Sequence, residues 1–143
     1  MAAFNNYDPK RVVVYYQGIR LEGFMDGTFV TAEYDEDNFE GFSGADGDVT
    51  RIRNRNEMGT VTITLTQSSP SNDSLAAQHE VDLLSGVGYG ALMVKDLNGT
   101  EFVTAAQAWI KKAATVSFAD GVEGREWAFG CAKIKVSPGG ALV

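Results

Sequence analysis

Residues Thr60 to Thr66 read Thr-Val-Thr-Ile-Thr-Leu-Thr. This alternation sets Val61, Ile63 and Leu65 on one side of an extended chain and Thr60, Thr62, Thr64 and Thr66 on the other, which is the pattern of a strand with one buried face. The polar side carries no charge. An exposed strand face ordinarily includes some Lys or Glu. An all-threonine face therefore fits a surface that another copy covers, or one that lines an enclosed space.

The rest of the chain reads as further strands around this one. Val12 to Tyr16 is a β-rich run broken at Gln17-Gly18, with Ile19 to Glu22 returning as a second strand. Thr28 to Tyr34 alternates. Ala91 to Leu97 leads to Asn98-Gly99, a strong two-residue hairpin signal, and Glu101 to Thr104 returns. Trp109 to Ala119 and Trp127 to Val136 are expected to form a last antiparallel pair around Asp120–Gly124. One helix is expected. It starts at Pro70-Ser71-Asn72-Asp73 with Ser71 or Asn72 as N-cap, runs to about Leu84 and stops at Ser85-Gly86. Ala76, Ala77, Val81, Leu83 and Leu84 form its apolar arc, interrupted by Glu80. The 143 residues suit one domain, and 16 glycines against 3 prolines suit a turn-rich β fold. Residues 1–10 are expected to be an N-terminal arm and residues 137–143 a tail with an apolar end. Residues 35–59 offer little to a core beyond Phe39, Phe42, Val49 and Ile52, and are read as a long protruding hairpin or loop.

The net charge is -7. Residues 1–48 hold seven more acids than bases, and Glu33, Asp35, Glu36, Asp37, Glu40, Asp46 and Asp48 are among them. Arg51, Arg53 and Arg55 follow directly. Two solvated loops would look like this. So would charge complementarity between subunits, which steers and registers a head-to-tail contact more than it adds affinity. An acidic chain is poorly suited to general binding of nucleic-acid backbone. No apolar run approaches the roughly 20 residues of a membrane helix. The first residues lack the features of a signal peptide, so a cytoplasmic site of synthesis and no membrane anchor are expected. A single cysteine, Cys131, excludes an internal disulfide.

Catalytic and ligand-binding patterns are weak throughout. His79 stands on the expected helix without a Ser, Asp or Cys partner in a motif. Cys131 alternates with Phe129 and Trp127 and reads as a packed thiol. Zinc ligands at suitable spacing are missing. The acids from Asp35 to Asp48 offer oxygens for calcium but not the 12-residue calcium-loop pattern. Gly41, Gly44 and Gly47 lack the Gly-Lys-Ser/Thr of a phosphate loop. The expectation is no enzyme, no cofactor and no metal.

The segment Gly44-Ala45-Asp46-Gly47-Asp48-Val49-Thr50-Arg51 leads to Gly59-Thr60-Val61-Thr62-Ile63 and then Ser69-Pro70-Ser71-Asn72-Asp73. With Glu126-Trp127 and the closing Pro138-Gly139-Gly140, it resembles the tail tube proteins of contractile-tailed bacteriophages, over essentially the whole chain. The resemblance implies a mostly β fold, with two antiparallel sheets packed as a sandwich or half-open barrel beside one helix. It implies hexameric rings stacked into a tube that conducts DNA, with the 35–59 loop reaching the next ring. Sheath, tape-measure, baseplate and tail-terminator proteins are the implied partners, and the virion tail the implied location. Under this reading Glu33, Asp35, Glu36, Asp37, Glu40, Asp46, Asp48, Arg51, Arg53 and Arg55 are candidate inter-ring contacts, and Thr60, Thr62, Thr64 and Thr66 a candidate lumen or inter-subunit face. The alternatives are the tube of a non-phage contractile injection system and a free-standing β-sandwich module for sugar or calcium.

Overall fold

The computed structural model describes residues 6–139. The first five residues of the expected arm, and the tail beyond Gly139, lie outside them. The chain is mostly β, with two antiparallel sheets and a single helix among the described residues. A 3-10 turn at Pro9–Arg11 is capped by Asp8, whose carboxylate accepts from the Lys10 amide. The strands are β1 (Val12–Tyr16), β2 (Ile19–Arg20), β3 (Val30–Tyr34), β4 (Phe39–Ser43), β5 (Val49–Arg53) and β6 (Gly59–Thr66). After helix α1 (Ser71–Ser85) come β7 (Gly90–Asp96), β8 (Phe102–Ile110), β9 (Gly124–Cys131) and β10 (Ile134–Ser137). The large sheet runs β2-β1-β7-β8-β9-β6-β3, with β10 on β8. It curls until Val30 and Ala32 of β3 face Val94, Val103 and Val136 across a cleft. Its two ends are not paired, so it is not a closed barrel. Strands β4 and β5 form the second, two-stranded sheet.

The core follows the alternation in the sequence. In β6, Val61, Ile63 and Leu65 are fully buried and every threonine between them is half-buried. Opposite them, Trp127 pairs with Ile63 and Phe129 with Val61. The Phe129 ring meets that of Tyr16 edge-on at 4.9 Å, joining the two halves of the sheet. The β1–β2 turn uses left-handed backbone at Gln17 (φ 51) and Gly18 (φ 81), which suits a tight two-residue hairpin.

Three expectations give way. First, β8 is one strand through Ile110, and residues 111–119 are not a strand. Its lower half pairs with β10 and its upper half with β9, and a bulge opposite β7 between Gly90 and Leu92 resets the phase. Ala105 and Ala108 therefore both point inward, and Ala106 and Gln107 are both exposed. Second, neither Ser71 nor Asn72 caps α1. The Ser71 hydroxyl accepts from the Glu22 amide, and Asn72 joins the helix to the sheet. The N-cap position is Pro70, and the first turn is served from the residue before it, where the Ser69 hydroxyl accepts from the Ser71 amide. The expected stop holds: Gly86 is left-handed at φ 74 and its amide reaches the Asp82 carbonyl. Third, the apolar arc of α1 is not its buried face. Leu75 and Ser71 are buried, but Val81, Leu83 and Leu84 are exposed, Leu84 to 86%. The helix meets the core only through its first turns, where Trp127 and Thr66 hold it.

Candidate assembly surfaces

The β4–β5 hairpin stands free of the core, and every residue in both strands is exposed. Its register pairs Phe39 with Arg53, Gly41 with Arg51 and Ser43 with Val49, so these side chains share one face. Glu40, Phe42, Thr50 and Ile52 share the other. The Arg51 guanidinium lies over the Phe39 ring at 4.4 Å. The tip turn closes through the Gly44 amide to the Asp48 carbonyl at 2.8 Å, with Gly47 at φ 86. An isolated two-stranded ribbon is at best marginal in water. This one also carries apolar side chains on both faces, with Phe42 at 61% and Val49 at 74% exposure.

The charged candidates separate along this ribbon. Arg51 and Arg53 lie on one face and Glu40 on the other, while Asp46 and Asp48 sit at the tip. At the base, Glu36 accepts from the Asn54 amide group at 2.6 Å, and Asp35 accepts from the Thr60 hydroxyl at 2.7 Å. The ion pair among the described residues is Lys133–Glu57 at 3.4 Å, so Arg51, Arg53 and Arg55 are paired with no acid among those residues.

The threonine face extends over neighbouring strands. Thr60 lies beside Glu33 and Gly130, Thr62 beside Thr31 and Ala128, and Thr64 beside Glu126. The result is a sheet face of mostly small side chains with two carboxylates, bordered by the Trp109 ring over Gly130. Lys111 reaches onto it and donates to the Thr60 hydroxyl at 2.9 Å. Gly130 is required here, because a Cβ at that position would stand 2.7 Å from the Trp109 ring.

A groove of about 560 Å³ opens at the other end of β3 from the hairpin. Val12, Phe29, Val30, Val94, Val103 and Val136 line it, and Asp96 and Glu101 stand on its wall. A hydrogen bond between those two carboxyls lowers the pKa of Asp96 and raises that of Glu101. Sequence reasoning missed this groove. The Asn98-Gly99 turn was visible, but nothing local signals that β3 curls over the strands it joins.

Side chains suited to chemistry are not gathered. Among the described residues no group of three or more His, Cys, Asp or Glu is placed to hold a metal ion. Cys131 is fully buried, and burial first, then Asp35, pushes its thiol to about 11. The Nδ1 of His79 is buried with no hydrogen-bond partner. No helix among the described residues is long and apolar enough to cross a membrane.

The sequence profile of the family described as "Bacteriophage PhiTE tail tube protein" matches residues 20–139. The chain belongs to this phage tail tube family. It is also 30% identical over 122 residues to "Structural protein ORF10" of Pseudomonas phage KPP10, covering 84% of this chain and 70% of that protein. Among solved structures, it resembles the sheath/tube terminator of an extracellular contractile injection system, PVC, in its extended state. The TM-score there is 0.67 at 12% identity, covering 95% of this chain and 99% of the other. It also resembles a chain of the PVC sheath-tube complex in the extended state, with a TM-score of 0.64 at 11% identity and coverage of 92% and 91%. At such identities these likenesses show the shared fold alone. The tail tube match takes in β4–β5, α1 and every strand of the groove except β1, so the free hairpin lies within the family's own span.

Proposed function

We propose that this tail tube protein is the repeating subunit of the inner tube of a contractile phage tail, with six copies closing a ring and rings stacking into a hollow tube. The observation that carries the reading is the β4–β5 hairpin. Both its faces are exposed and apolar, its arginines are unpaired, and it lies within the family match. A ribbon of this kind gains stability when another copy covers it. The large sheet ends at β2 on one side and β3 on the other. Unpaired edges invite pairing, and a closed ring gives each edge a neighbour. Ring contacts of this kind are heterologous and closing, whereas the stacking contact is heterologous and open, so it propagates.

The threonine face, with Glu33 and Glu126, suits the bore or the contact between subunits. Carboxylates there repel phosphate, so DNA slides without sticking. The tube acts as conduit and ram when a surrounding sheath contracts. Sheath, tape-measure, baseplate and terminator proteins meet its outer wall, its lumen and its ends, and assembly takes place in the host cytoplasm before the tail joins the virion. The subunit works as one domain and needs no bond-making step. The same geometry serves a non-phage injection tube, and neighbouring capsid and packaging genes separate the two.

Salt tests the stacking contact. Exposed charges are screened within about 8–10 Å at physiological ionic strength. Raising salt is expected to shorten tubes, seen by electron microscopy, before it dissolves rings. Tube length that does not respond to salt contradicts a charged stacking contact. A calcium-dependent rise in melting temperature would instead favour a calcium-binding module.

A further inference from the structure

We propose that the groove under β3 is the receiving site for the β4–β5 hairpin of the next copy, with Arg51 and Arg53 meeting Asp96 and Glu101. This inference rests on the stacking reading above and names the surface on the receiving side. Three observations carry it.

The first is position. Strand β3 begins at Val30 in the groove and ends at Tyr34, from which the hairpin departs. Donor and receiver thus lie at opposite ends of one strand, as a head-to-tail contact requires. The nine residues from Asp35 to Ser43 span roughly 30 Å when extended, enough to leave their own subunit. The second is surface character. The hairpin face that carries Phe39 and Val49 also carries both arginines. The groove is valine-lined with two carboxylates on its wall. Apolar meets apolar and cation meets acid in one placement. The third is the state of the acids. Asp96 and Glu101 share a hydrogen bond, and each is an acid the other must tolerate. Lys95 stands near both and favours their charged forms, and its ammonium also donates to the Gly99 carbonyl at 3.1 Å. Lys10 lies further along, beside Asp26. An arriving guanidinium gives the two carboxyls a better partner than each other. The acids beside the arginines in sequence are less suited to receive them. Asp35 and Glu36 belong to the hairpin's own base and Asp46 and Asp48 to its tip, so they lie at the same end of β3 as the arginines.

The test is charge exchange, read as tube length by electron microscopy and ring content by sedimentation. Glu101→Lys is chosen because Asp96 also anchors the turn through the Asn98 amide at 2.9 Å. Juxtaposed like charges cost several kcal/mol, so stacking should weaken about a hundredfold while rings persist. Arg51→Glu with Arg53→Glu should do the same. Combining the three substitutions should restore tubes, and Glu101→Gln should give an intermediate loss. Unchanged melting temperatures establish that each variant folds. If the arginine variant blocks stacking but Glu101→Lys does not, or the combination fails to rescue, the groove is not the receiver. If the arginine variant stacks normally, the hairpin reading itself is wrong.

Discussion

Replacing Asn72 by alanine tests how the helix is held to the sheet. The Asn72 side chain accepts from the Trp127 indole N–H at 2.9 Å and donates to the Thr66 carbonyl at 2.8 Å. No other side-chain hydrogen bond joins α1 to β6 or β9 among the described residues. Asn72→Ala removes both bonds and strands the indole donor, which water reaches only in part, while the Thr66 carbonyl still accepts from the Ser69 amide at 3.0 Å. Stranding that donor costs about 1–3 kcal/mol and losing the other bond about 1 kcal/mol, so the sum is about 2–4 kcal/mol. For 143 residues the unfolding entropy is about 0.3 kcal/mol/K, and 1 kcal/mol corresponds to about 3 °C. The expected fall in Tm is therefore about 7–13 °C by calorimetry. Trp127→Phe loses the same indole bond together with some buried area. In a double-mutant cycle the two changes share that bond, so the pair should cost about 1 kcal/mol less than the sum of the singles. A fall under about 3 °C for Asn72→Ala would refute the latch. So would additivity within about 0.3 kcal/mol in the cycle.

Other residues give simpler tests. A Cβ at Gly59 would stand 2.7 Å from the Glu33 carbonyl oxygen and closer to Ile134, so Gly59→Ala should destabilise by about 1–3 kcal/mol in denaturant unfolding. Gly86 has open space around it but a φ of 74, so Gly86→Ala should cost only about 1 kcal/mol, from backbone conformation alone. Burial raises the Cys131 thiol from its ordinary 9.0 to about 11. Between those pH values the unfolded chain has released a proton that the folded chain retains. The contribution of Cys131 to stability is thus complete below about pH 9 and is lost as pH rises through 11. A Cys131→Ala variant should show a shallower decline across that window in pH-dependent melting.

What could be read from sequence was set by local period. Thr60 to Thr66 needed nothing beyond its alternation, and the Gln17-Gly18 turn declared its own geometry. Asn98-Gly99 marked a chain reversal but not the expected two-residue turn, since β7 and β8 are joined by residues 97–101 and neither residue is left-handed. The expected free hairpin stood out for the opposite reason, because residues 35–59 lack an inward-facing set. Strand β8 was misread because a bulge changes its phase at Ala106-Gln107, where it also exchanges β10 for β9. No pattern in the strand itself reports a change of partner. The helix was misjudged because Val81, Leu83 and Leu84 have the period of a buried face with nothing folded against them. An apolar stripe shows that a helix can be covered but not that its own chain covers it. The cap residues were similarly visible as polar side chains, but their partners, Glu22 and Trp127, are 49 and 55 residues away. The groove at Asp96 and Glu101 exists only once the sheet has curled, and no stretch of sequence encodes it alone.

Copies of this chain are expected to build a hollow tube. Negative-stain electron microscopy of the purified protein at high concentration, beside size-exclusion chromatography, tests it most directly. Six-fold rings and hollow tubes that elute far ahead of a 15.4 kDa monomer are the expected result. A chain that remains monomeric at every concentration, and is not taken up into tubes when co-expressed with the tail-tip complex that would start them, contradicts it.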